Sequence, residues 1–290
     1  MARGARLLAA LLLALAAAAP AARAGAPTAD ETVARAQALG VGEQAQRLRE
    51  HFLPGARLVA GGLAATGATK LGGRPELPPG TRWPSCHGRK LSFLMQVRVA
   101  DVPGAGGSGM LSVFADLHRD EDGLVPLELF AGRVKPGGCV AVLHSDGAPR
   151  RRAIPRGVKM LRDTPVEVRP TLTVPGWDVA DYYGVHDVPI DPWGELINES
   201  TEGMLIDEAK LPYTPFHLLG GWSWSIQWEV ETACGDKHTK GPERRLLLQL
   251  DDDEHLRFTY GDAGIFYLTI TPQDLRAGRF DRLCGEFQDS

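Results

Sequence analysis

The clearest alternation of apolar and polar positions lies in the C-terminal part of the chain. A short apolar run at 246–250 ends in three aspartates, and a run rich in β-branched and aromatic residues follows at 265–270. Both runs predict strands. Thr271 then begins a short helix that Gly278 ends after one or two turns, and a last strand is predicted at 283–287. This order of elements indicates a mixed sheet with one small crossover.

The N-terminal half shows helical spacing first and strand patterns later. Residues 28–31 form a capping box, and the apolar positions between 33 and 52 predict two short helices separated at 40–42. Alternating apolar residues at 91–99 predict a strand. Further strands are predicted at 56–60, 110–117, 139–144 and, as an edge strand because it contains Pro170, 166–174.

Several short segments recur along the chain. The pairs are 70–73 with 218–221, 94–97 with 247–250, and 110–114 with 264–268. We therefore predict an α+β fold with two related β-rich lobes, a pseudo-duplication, with short crossover helices and an N-terminal helical cap. The alternative is chance similarity between β-rich sequences.

The same segments resemble the YwqG-like family, an uncharacterised domain family. The matching blocks, in the family's order, are KLGGRP at 70–75, LSFLMQV at 91–97, HLLGG at 217–221, LLLQLDDDE at 246–254, YGDAGIFYLTI at 260–270 and PQDLRAGRFD at 272–281. The resemblance implies an α+β fold and no known activity. Residues 147–216 match poorly, where family members usually have a helix, so the arrangement of the lobes stays open.

The first 24 residues have the features of a secretory signal peptide. Two arginines precede an apolar run at 7–19, and a small-x-small site ends at Ala24. The run is too short to cross a bilayer, although an uncleaved anchor is the alternative. We predict a secreted or periplasmic protein with no later membrane span. The predicted organisation is a signal peptide at 1–24, a helical segment at 25–60 and a YwqG-like domain at 61–290, divided into 61–146, a connecting segment at 147–216, and 217–290.

Charge and cysteine content narrow the function classes. The chain has 32 basic and 36 acidic residues, a formal net charge of −4, so we expect no binding to nucleic acid. The four cysteines are Cys86, Cys139, Cys234 and Cys284. In an exported chain they indicate up to two disulfides with three possible connectivities, and buried free thiols are the alternative. No Cys-x-x-Cys pair is present, so we expect no zinc site.

No residue emerges as catalytic, and we expect no cofactor. The acidic run 251–254 lacks the alternation of a calcium loop, and Asp262 lies in a glycine turn where aspartate usually bonds its own backbone. The adjacent Cys86 and His87 do not make a catalytic pair by adjacency alone. His217, just before a glycine pair, is most often a core or surface residue.

The tryptophans are the remaining candidates for function. Trp222, Trp224 and Trp228 would share one face of an extended strand with Ile226, either as core packing or as a surface that stacks on a ligand. The predicted binding site lies in a groove between the lobes and comprises Gly72, Gly73, Gly220, Gly221, Trp222, Trp224 and Asp262. We predict a non-catalytic binding or protein-interaction module for an unknown protein or carbohydrate ligand. The alternative is an extracellular hydrolase that uses Asp262 or the acids at 251–254 with a histidine.

Overall fold

The computed structural model describes residues 25–118, 131–200, 215–234, 243–259 and 264–289. The predicted signal peptide and Asp262 lie outside these residues. The five helices of the described part are short: α1 (Ala29–Ala38), α2 (Gly42–Leu48), α3 (Trp177–Tyr182), α4 (Ile190–Ser200) and α5 (Pro272–Arg276). Among the described residues, no helix has the length and apolar character needed to cross a membrane.

Most of the chain's regular structure is antiparallel sheet. The strands are β1 (Leu53–Ala60), β2 (Lys70–Leu71), β3 (Glu76–Leu77), β4 (Ser85–Cys86), β5 (Arg89–Lys90), β6 (Ser92–Arg98), β7 (Met110–Ala115), β8 (Ala131–Arg133), β9 (Val140–Ser145), β10 (Arg150–Arg151), β11 (Thr164–Thr173), β12 (Leu218–Gly220), β13 (Arg245–Leu250), β14 (Ile265–Ile270) and β15 (Cys284–Gln288). Eleven of them form one sheet in the order β8-β15-β14-β13-β12-β1-β11-β2-β6-β7-β9. Two separate two-stranded sheets, β3 with β10 and β4 with β5, complete the set.

The predicted α+β architecture with two β-rich lobes is wrong, because one continuous sheet runs through both halves of the chain. β1 and β11 pair along their length at the centre of that sheet, from Leu53 opposite Thr173 to Ala60 opposite Val166. A single apolar core also spans both halves, since Leu71 and Phe93 belong to the same buried cluster as Leu247. The strand predicted at 56–60 is shorter than β1, which begins at Leu53 and includes Pro54 and Gly55, two residue types that are depleted in strands.

The local predictions agree with the structure where a strand or cap has its own signal. The strands β6, β7, β9, β13, β14 and β15 lie within a residue or two of their predicted positions. Thr28 forms the capping box of α1, and Thr271 caps α5. The predicted edge strand is wrong in part: β11 is internal, but β2 covers only Thr164 and Pro165, so the stretch around Pro170 is paired with β1 alone.

The strands on the two sides of the central β1–β11 pair form two wings of the one sheet. The first wing is β2, β6, β7 and β9, and the second wing is β12, β13, β14 and β15. β8 extends the sheet beyond β15 and is counted with neither wing. In the first wing, the buried Gln96 lies opposite Lys70. Its side chain accepts a hydrogen bond from the Glu76 amide (3.1 Å) and donates one to the Ala68 carbonyl (2.8 Å).

The second wing repeats this arrangement with Gln249. That residue lies opposite Leu218, accepts a hydrogen bond from the Trp224 amide (2.8 Å) and donates one to the Phe216 carbonyl (2.9 Å). Counted from the glycine pair of each wing, the bonded backbone groups are at the same positions. The two wings therefore share one hydrogen-bonding frame, in which a buried glutamine satisfies two loop backbone groups that would otherwise be unpaired.

Glycine pairs form the corner that follows β2 and the corner at the end of β12. Gly72 and Gly73 have φ of 58° and 70°, and Gly220 and Gly221 have φ of 64° and 78°. All four lie in the left-handed region, where a side chain would be strained. A Cβ on Gly221 would also lie 2.5 Å from the Thr173 hydroxyl.

Each wing has one disulfide, and the two disulfides join equivalent segments. Cys86 pairs with Cys139, and Cys234 pairs with Cys284, which selects one of the three connectivities that the sequence allowed. In each wing the bridge joins the segment after the glycine corner to the start of the last strand. The first four helices form a separate layer, in which α1, α2 and α3 pack with α4 around the buried Trp193, whereas Leu275 of α5 belongs to the main core.

Candidate functional site

The segment after the second glycine corner is an irregular loop, so the predicted tryptophan strand is wrong. Residues 221–229 contain no strand, and their three tryptophans have different surroundings. Trp222 is 2% exposed and donates a hydrogen bond from its indole to the His51 carbonyl (2.7 Å). Trp224 is half-buried, and Trp228 is 47% exposed. The loop therefore presents one tryptophan to solvent and keeps one in the core.

A small pocket opens beside this loop, against the start of α3. Three indoles and three carboxyl groups contribute to its lining, and its volume is about 30 Å³. These six residues are Trp177, Trp222, Trp224, Asp178, Glu229 and Glu231. We call this cavity the tryptophan pocket.

Glu231 lines the pocket and accepts the hydrogen bonds of a small polar network. It lies in the 3₁₀ helix Val230–Thr232 and is 1% exposed. Its carboxylate accepts hydrogen bonds from the Ser223 amide (2.9 Å) and hydroxyl (3.1 Å), and the Ser223 and Ser225 hydroxyls are 2.8 Å apart. Burial raises the pKa of Glu231, although these bonds and the positive charge of Arg245 oppose that change.

A second buried carboxyl, Glu286, lies close enough to Glu231 for their charges to interact. Glu286 is 1% exposed, and its Oε1 accepts hydrogen bonds from the Trp228 indole and from the side-chain amide Nε2 of Gln288 (3.0 Å). Its Oε2 has no hydrogen-bond partner among the described residues. Burial raises the pKa of Glu286 to about 7, and the charge of Glu231 adds to the increase. We call Glu231 and Glu286 the carboxyl pair.

The first wing has apolar residues where the second has this pair. In the second wing, Glu286 lies opposite Tyr267, which lies opposite Gln249. The corresponding row of the first wing runs from Gln96 through Ser112 to Leu143.

Counted from the glycine pair, the first-wing counterpart of Glu231 is Trp83, which is also buried. The frame is therefore compatible with apolar side chains at both positions. Burying two carboxyls instead costs free energy. Of the two, Glu231 lines the pocket, and a perturbed carboxyl in a pocket marks a functional-site candidate.

The one buried histidine–carboxylate pair among the described residues is His217 with Asp253. His217 Nε2 donates to Asp253 Oδ2 (3.2 Å), and Nδ1 accepts from the Asp251 amide (3.1 Å), so both ring nitrogens are occupied within the protein. Burial acts to raise the pKa of Asp253, but the hydrogen bonds from His217 and the Leu256 amide outweigh it and keep that pKa below its usual value.

A threonine makes the same contacts in the first wing. Thr69 Oγ1 accepts a hydrogen bond from the Arg98 amide (2.9 Å) and donates one to Asp101 Oδ2 (2.6 Å). Thr69 stands immediately before β2, as His217 stands immediately before β12. Since threonine fills this role without acid–base chemistry, the His217 pair is a structural feature of the frame.

Two larger grooves lie elsewhere on the molecule. One, of about 680 Å³, crosses β1 and β11, and its charged residues are engaged in ion pairs, including Arg98 with Asp101 and Glu167 with Arg169. The other, of about 520 Å³, is lined by Trp83, Leu143 and their neighbours in the first wing. Neither contains a buried carboxyl.

The structure brings together only some of the residues that the sequence predicted as a site. Trp222 and Trp224 line the tryptophan pocket, and Gly220 and Gly221 lie directly before them. Gly72 and Gly73 follow β2, which β1 and β11 separate from β12 in the sheet. The acidic run 251–254, which lacks the alternation of a calcium loop, forms a turn, since the Asp253 side chain accepts a hydrogen bond from the Leu256 amide (3.0 Å).

Sequence reasoning missed the carboxyl pair, and one signal could have revealed it. Glu286 is a charged residue in the middle of the short strand β15, and all five residues of that strand are buried. A charge within a buried strand needs a partner or a function. Glu231 carried no comparable signal, because it lies in a short 3₁₀ helix and its burial depends on how the preceding loop packs.

Comparison with known proteins gives a family but no activity. A family model described as "Domain of unknown function (DUF1963)" matches residues 69–288. No curated protein matches the chain.

Proposed function

The chain belongs to this family of domains of unknown function, and we propose that it is a non-catalytic binding module whose ligand enters the tryptophan pocket. One observation carries the proposal: the second wing buries Glu231 and Glu286 where the first wing has Trp83 and Leu143. Ligand recognition explains a costly polar site that the frame itself does not need. The finer YwqG-like resemblance stays a prediction.

We further propose that the module works outside the cytoplasm. The predicted signal peptide lies outside the described residues, so the support comes from the two disulfides. Disulfides persist in oxidising compartments and are rare where thiols are kept reduced.

Binding can be tested on the full chain with probes of three charge classes. The probes are N-acetyl-arginine amide, N-acetyl-glutamate amide and N-acetylglucosamine. The binding of each is measured by tryptophan fluorescence and by calorimetry. We expect at least one class to bind, its affinity to fall at least tenfold in Glu231→Gln, and the probe to be recovered unchanged. Glu43→Gln, which removes an exposed acid on α2, is the matched control. Binding of no class, or equal binding by the wild type and Glu231→Gln, would contradict the proposal.

A hydrolase is the second candidate, and one arrangement favours it. Ser225 lines the pocket, and its hydroxyl can pass a proton through Ser223 to Glu231, which is the order of nucleophile, relay and base. The predicted Asp262 site lies outside the described residues. Release of nitrophenolate from nitrophenyl acetate that disappears in both Ser225→Ala and Glu231→Gln would favour this candidate over the binding module.

A further inference from the structure

The lining of the tryptophan pocket combines aromatic faces with negative charge. Asp178, Glu229 and Glu231 are its charged residues, and no Lys, Arg or His is among the described residues that line it. We propose that the pocket recognises a single cationic group, a guanidinium or an alkylammonium. This inference rests on the binding function proposed above and specifies its ligand. Cations are attracted both to carboxylates and to the faces of indole rings.

The pKa values of Asp178, which lines the pocket, and of Tyr182, which is near it in sequence on α3, reflect this negative field. Burial raises the pKa of Asp178, and the charge of Asp181 adds to the increase. The pKa of Tyr182 is raised by burial and then by the charges of Glu229 and Asp178. A bound cation would relieve the repulsion among these carboxylates, whereas an anion would add to it.

The protein already places one cation against this set of groups. The Arg245 guanidinium lies 4.4 Å from the centre of the Trp222 ring, and its charge stabilises ionised Glu231. Arg245 is not among the residues that line the pocket. It shows that the Trp222 indole packs against a guanidinium outside the pocket, while Asp178 and Glu229 line the pocket itself.

The size of the pocket restricts the ligand to the end of a side chain or a small amine. A volume of about 30 Å³ holds roughly two water molecules. That space admits an ammonium or guanidinium head but not a hexose ring. The carbohydrate ligand that the sequence allowed is therefore disfavoured at this pocket.

The test compares a cation with its uncharged analogue on the full chain. N-acetyl-arginine amide and N-acetyl-citrulline amide have nearly the same shape, and only the first is charged. We expect the arginine compound to bind at least tenfold more tightly, and we expect Asp178→Asn and Glu229→Gln each to reduce its affinity about tenfold. Glu43→Gln should leave the affinity within twofold of the wild type.

A third probe, methylguanidinium, distinguishes two sources of the cation, a basic side chain of a peptide and a free small molecule. Tighter binding of N-acetyl-arginine amide than of methylguanidinium supports a basic side chain of a peptide, and equal binding supports a free small cation. Equal affinity for the citrulline compound, or no effect of Asp178→Asn and Glu229→Gln, would overturn the inference. If a neutral or anionic probe binds and Glu231→Gln abolishes its binding, the binding module stands and only the cation is wrong. If no probe of any charge binds, both proposals fail.

Discussion

The two wings of the sheet have the same frame but different contents. Gln96 and Gln249 make equivalent hydrogen bonds, the glycine corners share one backbone conformation, and each wing is closed by a disulfide. What differs is the last strand, where the half-buried Leu143 in the first wing corresponds to the buried Glu286 in the second. The comparison separates residues that a wing needs for folding from residues that only the second wing has. If the separation holds, substitutions in the shared frame should affect both wings equally, and substitutions of the carboxyl pair should affect the second wing alone.

Removing either disulfide should have the largest effect on stability, and the two effects should be similar. The bridges join cysteines 53 and 50 residues apart, so each restricts the unfolded chain to the same degree. We expect Cys86→Ala with Cys139→Ala, and Cys234→Ala with Cys284→Ala, each to lower the free energy of unfolding by about 4 kcal/mol. Urea unfolding at pH 7 measures both. Costs that differ by more than about 2 kcal/mol would show that the wings are not equivalent.

Glu286→Gln should stabilise the protein, but only above acidic pH. The folded-state pKa of about 7 lies above the ordinary 4.5, so the folded protein holds a proton that the unfolded chain releases. Stability is therefore full below about pH 4.5 and is lost as pH rises through 7, a loss of about 3 kcal/mol by pH 8. Urea unfolding of Glu286→Gln at pH 8 should recover most of this loss, with no gain at pH 4.

The control for this substitution is Leu143→Gln in the first wing. It places the same amide at the matching position, where no carboxyl is replaced, so we expect no gain at either pH. A similar gain from both variants, or a gain from Glu286→Gln that does not depend on pH, would argue against an energetically costly carboxyl.

Substituting the matching glutamines should destabilise both wings by equal amounts. Gln96→Leu and Gln249→Leu each leave two backbone groups without their side-chain partner, for a loss of about 2 kcal/mol. The exposed Gln273→Leu, on α5, should change the free energy of unfolding by less than about 0.5 kcal/mol. Denaturant titration of the three variants and the wild type measures these changes in the free energy of unfolding. A large cost in only one wing would refute the shared frame.

His217→Thr should have the smallest effect, because Thr69 makes equivalent contacts in the first wing. We expect a loss of stability of about 1 kcal/mol from the smaller side chain. The affinity for N-acetyl-arginine amide should stay within twofold of the wild type. A tenfold loss of affinity with a normal free energy of unfolding would instead assign His217 to the binding site.

The sequence predicts the outer strands of both wings better than the centre of the sheet. The strands β13, β14 and β6 carry apolar runs that end at turn residues, which are local signals. The central β1–β11 pair contains Pro54 and Pro170 and joins residues more than one hundred positions apart. No local pattern encodes that pairing, so the sequence alone left two lobes where the structure has one sheet.

The candidate site follows the same division. The tryptophans stand close together in the sequence, which made Trp222 and Trp224 visible as candidates. Glu231 and Glu286 come from different elements, and only the fold brings their charges together. The two carboxyls matter because both are buried and no positive group among the described residues lies at hydrogen-bond distance from them. This property depends on the tertiary fold and not on the local sequence.

The most direct test of the account is the affinity for N-acetyl-arginine amide as a function of pH. A bound cation favours the ionised carboxyl pair, so we expect affinity to rise about tenfold between pH 6 and pH 8, through the Glu286 pKa of about 7. Glu286→Gln leaves the other ionisable groups around the pocket in place, namely Glu231, Asp178, Asp181, Glu229, Arg245 and the neutral Tyr182, and should make the profile shallower. An affinity that does not change with pH in the wild type, or an equally steep rise in Glu286→Gln, would contradict the claim that the second wing buries its carboxyls to bind a cation.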